Sequence, residues 1–242
     1  MDIIRARDYE DMSLKAAGIV ADLIRKKPDA VLGLATGSSP IGLYKALIDM
    51  YQRGELDMSG VTTANLDEYV GLSPDNEQSY RYFMDHYLFD HVNTDKARTF
   101  VPDGLAEDAD AECRRYEALL SKIGERDLQL LGLGLDGHIG FNEPSEAFSD
   151  VTCCVELDQS TIEANKRFFS SAEEVPGKAY TMGIGTIMRA KKILMVVNGE
   201  AKADILEKVI RGPVCPGVPA SILRFHRDVT IVADEAALSK CL

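Results

Sequence analysis

The sequence has no apolar run approaching the ~18 residues needed to span a bilayer. Its first residues, Met1-Asp2-Ile3-Ile4-Arg5-Ala6-Arg7-Asp8, lack the long apolar core of a signal peptide. These absences predict a soluble, cytoplasmic protein without a membrane partner. Paired cysteine spacing is absent too: the five cysteines are odd in number, none lies in a CxxC pattern, and Cys153 and Cys154 are chain neighbours, a poor geometry for bonding each other. Free thiols in a reducing compartment follow. Positive charge is scarce, with 27 Lys and Arg against 39 Asp and Glu, a net charge of −12. Such a surface repels polyphosphate and argues against nucleic acid as a partner. No low-complexity linker divides the chain, and there is no heptad or fixed-period repeat.

What remains is a globular composition, 45% hydrophobic and 27% charged over 242 residues. Chains of this size remove roughly 70–75% of their unfolded surface from water, so no disulfide or metal staple is needed. Short apolar runs alternate with segments of helical period, the pattern of strand–helix units around a parallel sheet. Residues 1–6 read as an edge strand, and Leu14, Ala17, Ile19 and Leu23 mark a helix over about 9–26. Residues 30–35 are nearly all apolar, as a strand buried on both faces must be. A helix through Leu43, Tyr44, Leu47, Ile48 and Tyr51 follows, then a strand over 61–66 that ends at Asp67. A polar and aromatic stretch over 68–81 leads to a helix through Phe83, Tyr87 and Leu88. Further helices are predicted over 109–123 and 200–210, further strands over 128–135, 192–197 and 229–233, and a short helix at the C-terminus. The whole, residues 1–242, is predicted to be a single doubly wound α/β domain, with a Rossmann-like, mostly parallel sheet and helices on both faces. In such sheets ligands sit beyond the carboxyl ends of the strands.

Three loops there carry chemistry. Thr36-Gly37-Ser38-Ser39-Pro40 joins a buried strand to a helix, and its backbone N–H groups and the helix N-terminus suit a phosphate. The same residues would equally make an ordinary turn with a serine N-cap and an early proline. The turn is not a Walker A loop, because no Gly-Lys-Ser/Thr closes it. Gly132-Leu133-Gly134-Leu135-Asp136-Gly137 matches the dinucleotide fingerprint formally, but Gly140 and Pro144 follow where a helix should open, and Asp136 would face the pyrophosphate. What this segment does hold is Asp136, His138 and Glu143 within eight residues, an imidazole flanked by carboxylates that can set its tautomer and basicity. A satisfied loop histidine is the alternative, and no second His or Cys stands at zinc-ligand spacing. Asp67, in Asn65-Leu66-Asp67-Glu68-Tyr69, could take a proton from a carbon next to a carbonyl, or simply cap a turn. Arg167 and Lys202 could clamp an anion. Lys202 opens a helix, where a cation opposes the macrodipole, whereas Arg167 beside Phe168 and Phe169 could lay its stem on apolar surface. His86 and His91 read as surface or half-buried residues.

Together, Leu32-Gly33-Leu34-Ala35-Thr36-Gly37-Ser38-Ser39-Pro40, Asn65-Leu66-Asp67-Glu68-Tyr69, Gly134-Leu135-Asp136-Gly137-His138-Ile139-Gly140-Phe141-Asn142-Glu143-Pro144 and Arg167-Phe168-Phe169 resemble the glucosamine-6-phosphate deaminase family. The resemblance implies conversion of glucosamine 6-phosphate and water to fructose 6-phosphate and ammonia, without metal or organic cofactor. It implies that Asp67 moves the proton from C2 to C1. It also implies that His138 serves ring opening with support from Asp136 and Glu143, and that Thr36, Gly37, Ser38, Ser39, Arg167 and Lys202 hold the sugar phosphate. Allosterically activated hexameric members carry basic residues shortly after the Asn-Glu-Pro segment and a C-terminal extension. Here Ser149-Asp150-Val151-Thr152-Cys153-Cys154-Val155-Glu156 has no cation and the sequence stops at Leu242. The resemblance therefore implies a monomer or small homo-oligomer that N-acetylglucosamine 6-phosphate does not activate.

Overall fold

The computed structural model describes residues 1–158, 162–163 and 175–241. Seven strands form one sheet, all of whose neighbours run parallel: β1 (Asp2–Ala6), β2 (Val31–Leu34), β3 (Thr62–Asn65), β5 (Thr99–Phe100), β6 (Leu128–Leu131), β9 (Ile193–Val197) and β10 (Val229–Asp234). Their order is β1-β10-β9-β6-β2-β3-β5. From β2 the chain winds one way through β3 to β5, then returns to the other side of β2 and winds out through β6, β9 and β10. The sheet therefore reverses direction between β2 and β6, the place where an open α/β sheet leaves a crevice at its carboxyl edge. Every residue of β3, β6, β9 and β10 is buried, which is why β9 is wholly apolar and β6 and β10 mostly so, while β3 spells Thr-Thr-Ala-Asn.

Helices α1 (Tyr9–Lys26), α2 (Ile41–Gln52), α3 (Tyr80–Tyr87), α4 (Ala109–Ile123), α5 (Ile184–Met188) and α6 (Ala203–Arg211) surround this sheet. The buried face of α1 is not the one its large aliphatics suggest. Met12, Ala16, Ala17, Val20, Ala21 and Ile24 are buried, while Leu14 is 52% exposed. The cause is close helix approach: a β-carbon on Gly42 of α2 would collide with Ser13 of α1, so small residues form the seam.

A second, antiparallel sheet of β4 (Asp67–Tyr69), β8 (Lys178–Thr181) and β7 (Cys153–Glu156) stands beside the first. Short, mixed-polarity strands such as these give no clear period and were not expected. The predicted strand over 61–66 thus does not end at Asp67. It bends at Leu66, whose N–H donates to Leu34 of the large sheet and whose carbonyl accepts from Met182 beside the small one. Asp67 opens the second sheet. Past β10 residues 235–240 form turns rather than the expected helix. All five cysteines are free, and among the described residues no helix is long and apolar enough to cross a membrane.

Candidate functional site

The loops after β2, β6 and β9 and the β3–β4 corner meet at the carboxyl edge. The turn over residues 36–40 is shaped from two sides. Tyr44 donates its hydroxyl to the Ala35 carbonyl at 2.6 Å, and Tyr9 donates to Ser38 at 3.0 Å while accepting from the Gly42 N–H at 2.8 Å. Gly37 takes φ +90°, a conformation that a side chain would strain. The serine N-cap does not form: α2 begins after Pro40 without any side-chain cap. Ser39 instead donates to Asn198 Oδ1 at 2.8 Å, tying this turn to the loop after β9. That loop turns at Gly199, whose N–H donates to both Asp234 carboxylate oxygens at 3.0 Å. Lys202, half-buried, then leads into α6.

Asp67 is 6% exposed, and its Oδ1 is buried without a hydrogen-bond partner. Burial first, and the neighbouring Glu68 charge second, raise its carboxyl well above the ordinary carboxylate value. In its ionised form a desolvated carboxylate of this kind is a strong proton acceptor.

After β6 no helix opens, so the dinucleotide fingerprint fails in its context as expected. The segment loops back, with the Gly134 N–H donating to the His138 carbonyl at 2.9 Å. His138 Nδ1 stands 2.7 Å from Asp136 Oδ1, and the His138 N–H donates to the same carboxylate at 3.1 Å. Burial would raise the Asp136 carboxyl, but the adjacent imidazole outweighs it and holds that carboxyl below its usual range. A β-carbon on Gly134 would occupy the space of the imidazole ring, so only glycine lets the ring lie there. Farther on, the Phe141 N–H donates to Thr181 Oγ1 at 3.0 Å, and Thr181 is the partner of Asp67 across the small sheet. This bond draws the loop over the carboxylate: a β-carbon on Gly140 would lie 3.5 Å from Asp67 Oδ2. Asn142 anchors the other end, donating to Ile139 and Met182 carbonyls at 2.8 and 2.9 Å and accepting from Ser149.

Among the predicted residues, Asp136 and His138 are therefore paired, Asp67 lies beneath their loop, and residues 36–39 form the neighbouring turn. Glu143 is half-buried and accepts the Asp158 N–H at 3.0 Å. It also lines a cavity of about 340 Å³ with Phe141, Asn142, Phe148, Cys153 and Ile184. Arg167 lies outside the described residues. His86 and His91 are exposed. Two neighbours of Asp67 had no assigned role. Glu68 is buried beside it, and Tyr80 brings its hydroxyl close to the side chains of Tyr69 and Thr36 and to the charge of Asp67. The only trace of either was a second carboxylate in an otherwise strand-like run and an aromatic just after Ser79.

A family model described as glucosamine-6-phosphate isomerases/6-phosphogluconolactonase matches residues 9–232. The chain belongs to this family. It is 55% identical over 239 residues to a glucosamine-6-phosphate deaminase of Thermoanaerobacter sp. (strain X514), covering 99% of this chain and 94% of that one. It is equally 55% identical to a glucosamine-6-phosphate deaminase of Clostridium perfringens (strain SM101 / Type A), over 98% of each chain. A solved structure of a monomeric glucosamine-6-phosphate deaminase superposes with a TM-score of 0.97 at 47% identity, covering 99% of this chain and 100% of that one. The 6-phosphogluconolactonase of Trypanosoma brucei superposes with a TM-score of 0.79 at 17% identity, covering 100% of this chain and 98% of that one, a likeness of fold alone. The family found is the one its motifs resemble.

Proposed function

We propose that this protein is a glucosamine-6-phosphate deaminase, converting glucosamine 6-phosphate and water to fructose 6-phosphate and ammonia. The observation that carries the mechanism is the buried, high-pKa carboxylate of Asp67 beneath the loop that bears the Asp136–His138 pair. His138, oriented by Asp136, takes the proton of the C1 hydroxyl and returns one to the ring oxygen, which opens the pyranose. Glu143 supports this step. Asp67 then removes the C2 proton, made acidic by the C1 aldehyde, and an enolamine forms. Delivery of that proton to C1 leaves an imine at C2. Water adds to the imine carbon, ammonia departs with the electrons of the C–N bond, and the ketose remains. The phosphate sits on the N–H groups and hydroxyls of Thr36, Gly37, Ser38 and Ser39 at the start of α2, with Arg167 and Lys202 as cations. No cofactor takes part in these steps.

The protein works in the cytoplasm as a monomer or small oligomer, as the monomeric deaminase of similar structure does for its oligomeric state. N-Acetylglucosamine 6-phosphate does not activate it. The cavity along residues 149–156 is lined by Glu143, Glu156 and Asp158 and by no lysine or arginine among the described residues, a poor setting for a phosphate. A several-fold rate increase from that compound at sub-saturating substrate would refute this point. The test of the activity is incubation with glucosamine 6-phosphate, with ammonia and ketose phosphate measured together. Equal release of both is expected. Hydrolysis of 6-phosphogluconolactone with no ammonia from the amino sugar would overturn the proposal.

A further inference from the structure

Glu68 is 2% exposed, yet its carboxylate is fully engaged. Oε1 accepts the N–H groups of Tyr69 at 2.8 Å and Tyr80 at 2.9 Å, and Oε2 accepts the Arg81 N–H at 2.9 Å. Two of these donors are the first N–H groups of α3, which have no partner within the helix. Ser79 caps the next, accepting from Tyr82 at 3.0 Å. The start of α3 is thereby fixed to β4, one residue from Asp67. The side chain this clamp sets is Tyr80. Its ring lies parallel to Phe141 at 5.9 Å between centroids and tilted against Tyr69 at 4.9 Å. Its hydroxyl reaches Thr36 in the turn after β2. Tyr80 thus touches all three parts of the site: the turn after β2, the strand of Asp67 and the loop of His138.

We propose that Tyr80 presents its hydroxyl to the sugar phosphate between the phosphate turn and Asp67, and that Glu68 is the positioning residue that holds it there. This rests on the deaminase assignment for the identity of the ligand. Tyr80→Phe removes only the hydroxyl and leaves the ring stack and the helix cap. Glu68→Gln replaces one acceptor oxygen by a donor that faces a backbone N–H, so the first turn of α3 must shift and carry Tyr80 with it. Losing one well-placed polar contact to the ligand is expected to weaken binding about tenfold.

The experiment is a double-mutant cycle on the full chain with Tyr80→Phe, Glu68→Gln and both together. It reads KM and kcat for glucosamine 6-phosphate and, by calorimetry, Kd for fructose 6-phosphate, with thermal unfolding as the folding control. Each single variant is expected to raise KM and Kd about tenfold, and the double variant no more than Tyr80→Phe alone, because Glu68 acts through that hydroxyl. Glu68→Asp should restore part of the loss. Additive effects, an unchanged Kd in Tyr80→Phe, or a Glu68→Gln variant altered in kcat alone would overturn the proposal. A wild-type chain that releases no ammonia would instead overturn the activity, while the Kd cycle still decides the roles of Tyr80 and Glu68.

Discussion

At the scale of single residues, β4 carries two neighbouring acids that the fold makes hard to ionise. Burial raises the Asp67 carboxyl well above its ordinary value of 3.8, and pushes Glu68 up to about 7 against three backbone N–H groups that pull it down. In the pH range above their ordinary values the native protein keeps these protons while the unfolded chain has released them. Stability from these groups therefore falls as pH rises, for Glu68 between about 4.5 and about 7. Asp67→Asn removes one of the two. Its stability relative to wild type should improve from pH 5 to pH 8, read by denaturant unfolding at each pH, and parallel curves would contradict the burial argument. The same variant should lose roughly 10²–10⁴-fold in kcat whatever form of substrate is offered, the usual worth of a positioned general base. His138→Asn should lose less on an open-chain analogue than on the closed sugar, and equal losses would remove ring opening from its role. Asp136, His138 and Asp67 were legible in the sequence because ionisable side chains just after apolar runs stand out. Glu68 and Tyr80 were not: their work depends on a fold that brings residue 80 back to residue 68, and no spacing along the chain records that.

At the scale of elements, the buried central strands were readable because two-sided burial favours apolar residues, and 109–123 coincides with α4, whereas the two-residue β5 was too short to show in the sequence. The small sheet was hidden, since β7 is only partly buried and β4 spells Asp-Glu-Tyr. That hidden sheet gives the site its geometry. Thr181 pairs with Asp67 on one side and holds the Phe141 N–H on the other, so the carboxylate and the imidazole loop share one anchor. The loop itself is shaped by glycine where a ring must lie flat on backbone. Gly134→Ala should therefore behave as a displaced histidine: a β-carbon in the ring's space moves the imidazole by about 1 Å or more, for which about a 10²-fold loss in kcat is expected. Near-UV circular dichroism should remain native. An alanine variant of undiminished activity would mean that the imidazole does not need the position it occupies here.

At the scale of the whole molecule, a net charge of −12 sits badly with an anionic ligand unless recognition is local. The turn over residues 36–40 is local in this sense: its backbone N–H groups, its hydroxyls and the start of α2 act within a few ångströms, and Ser39 ties it to Asn198 of the adjoining loop. Salt separates the two contributions. Screening over about 10 Å at 0.1 M removes the long-range repulsion from the acidic surface but leaves direct hydrogen bonds to the phosphate nearly untouched. If capture depended on a positive field reaching into solvent, kcat/KM would fall steeply with ionic strength, as it does for electrostatically steered association. With a local cradle under a repulsive envelope the sign reverses. Raising potassium chloride from about 0.01 M to about 0.1 M, the range over which the screening length shortens from about 30 Å to about 10 Å, should leave kcat/KM for glucosamine 6-phosphate unchanged or raise it. A steep decline in that range would show that long-range attraction brings the substrate in, and that the acidic excess does not reach the mouth of the site.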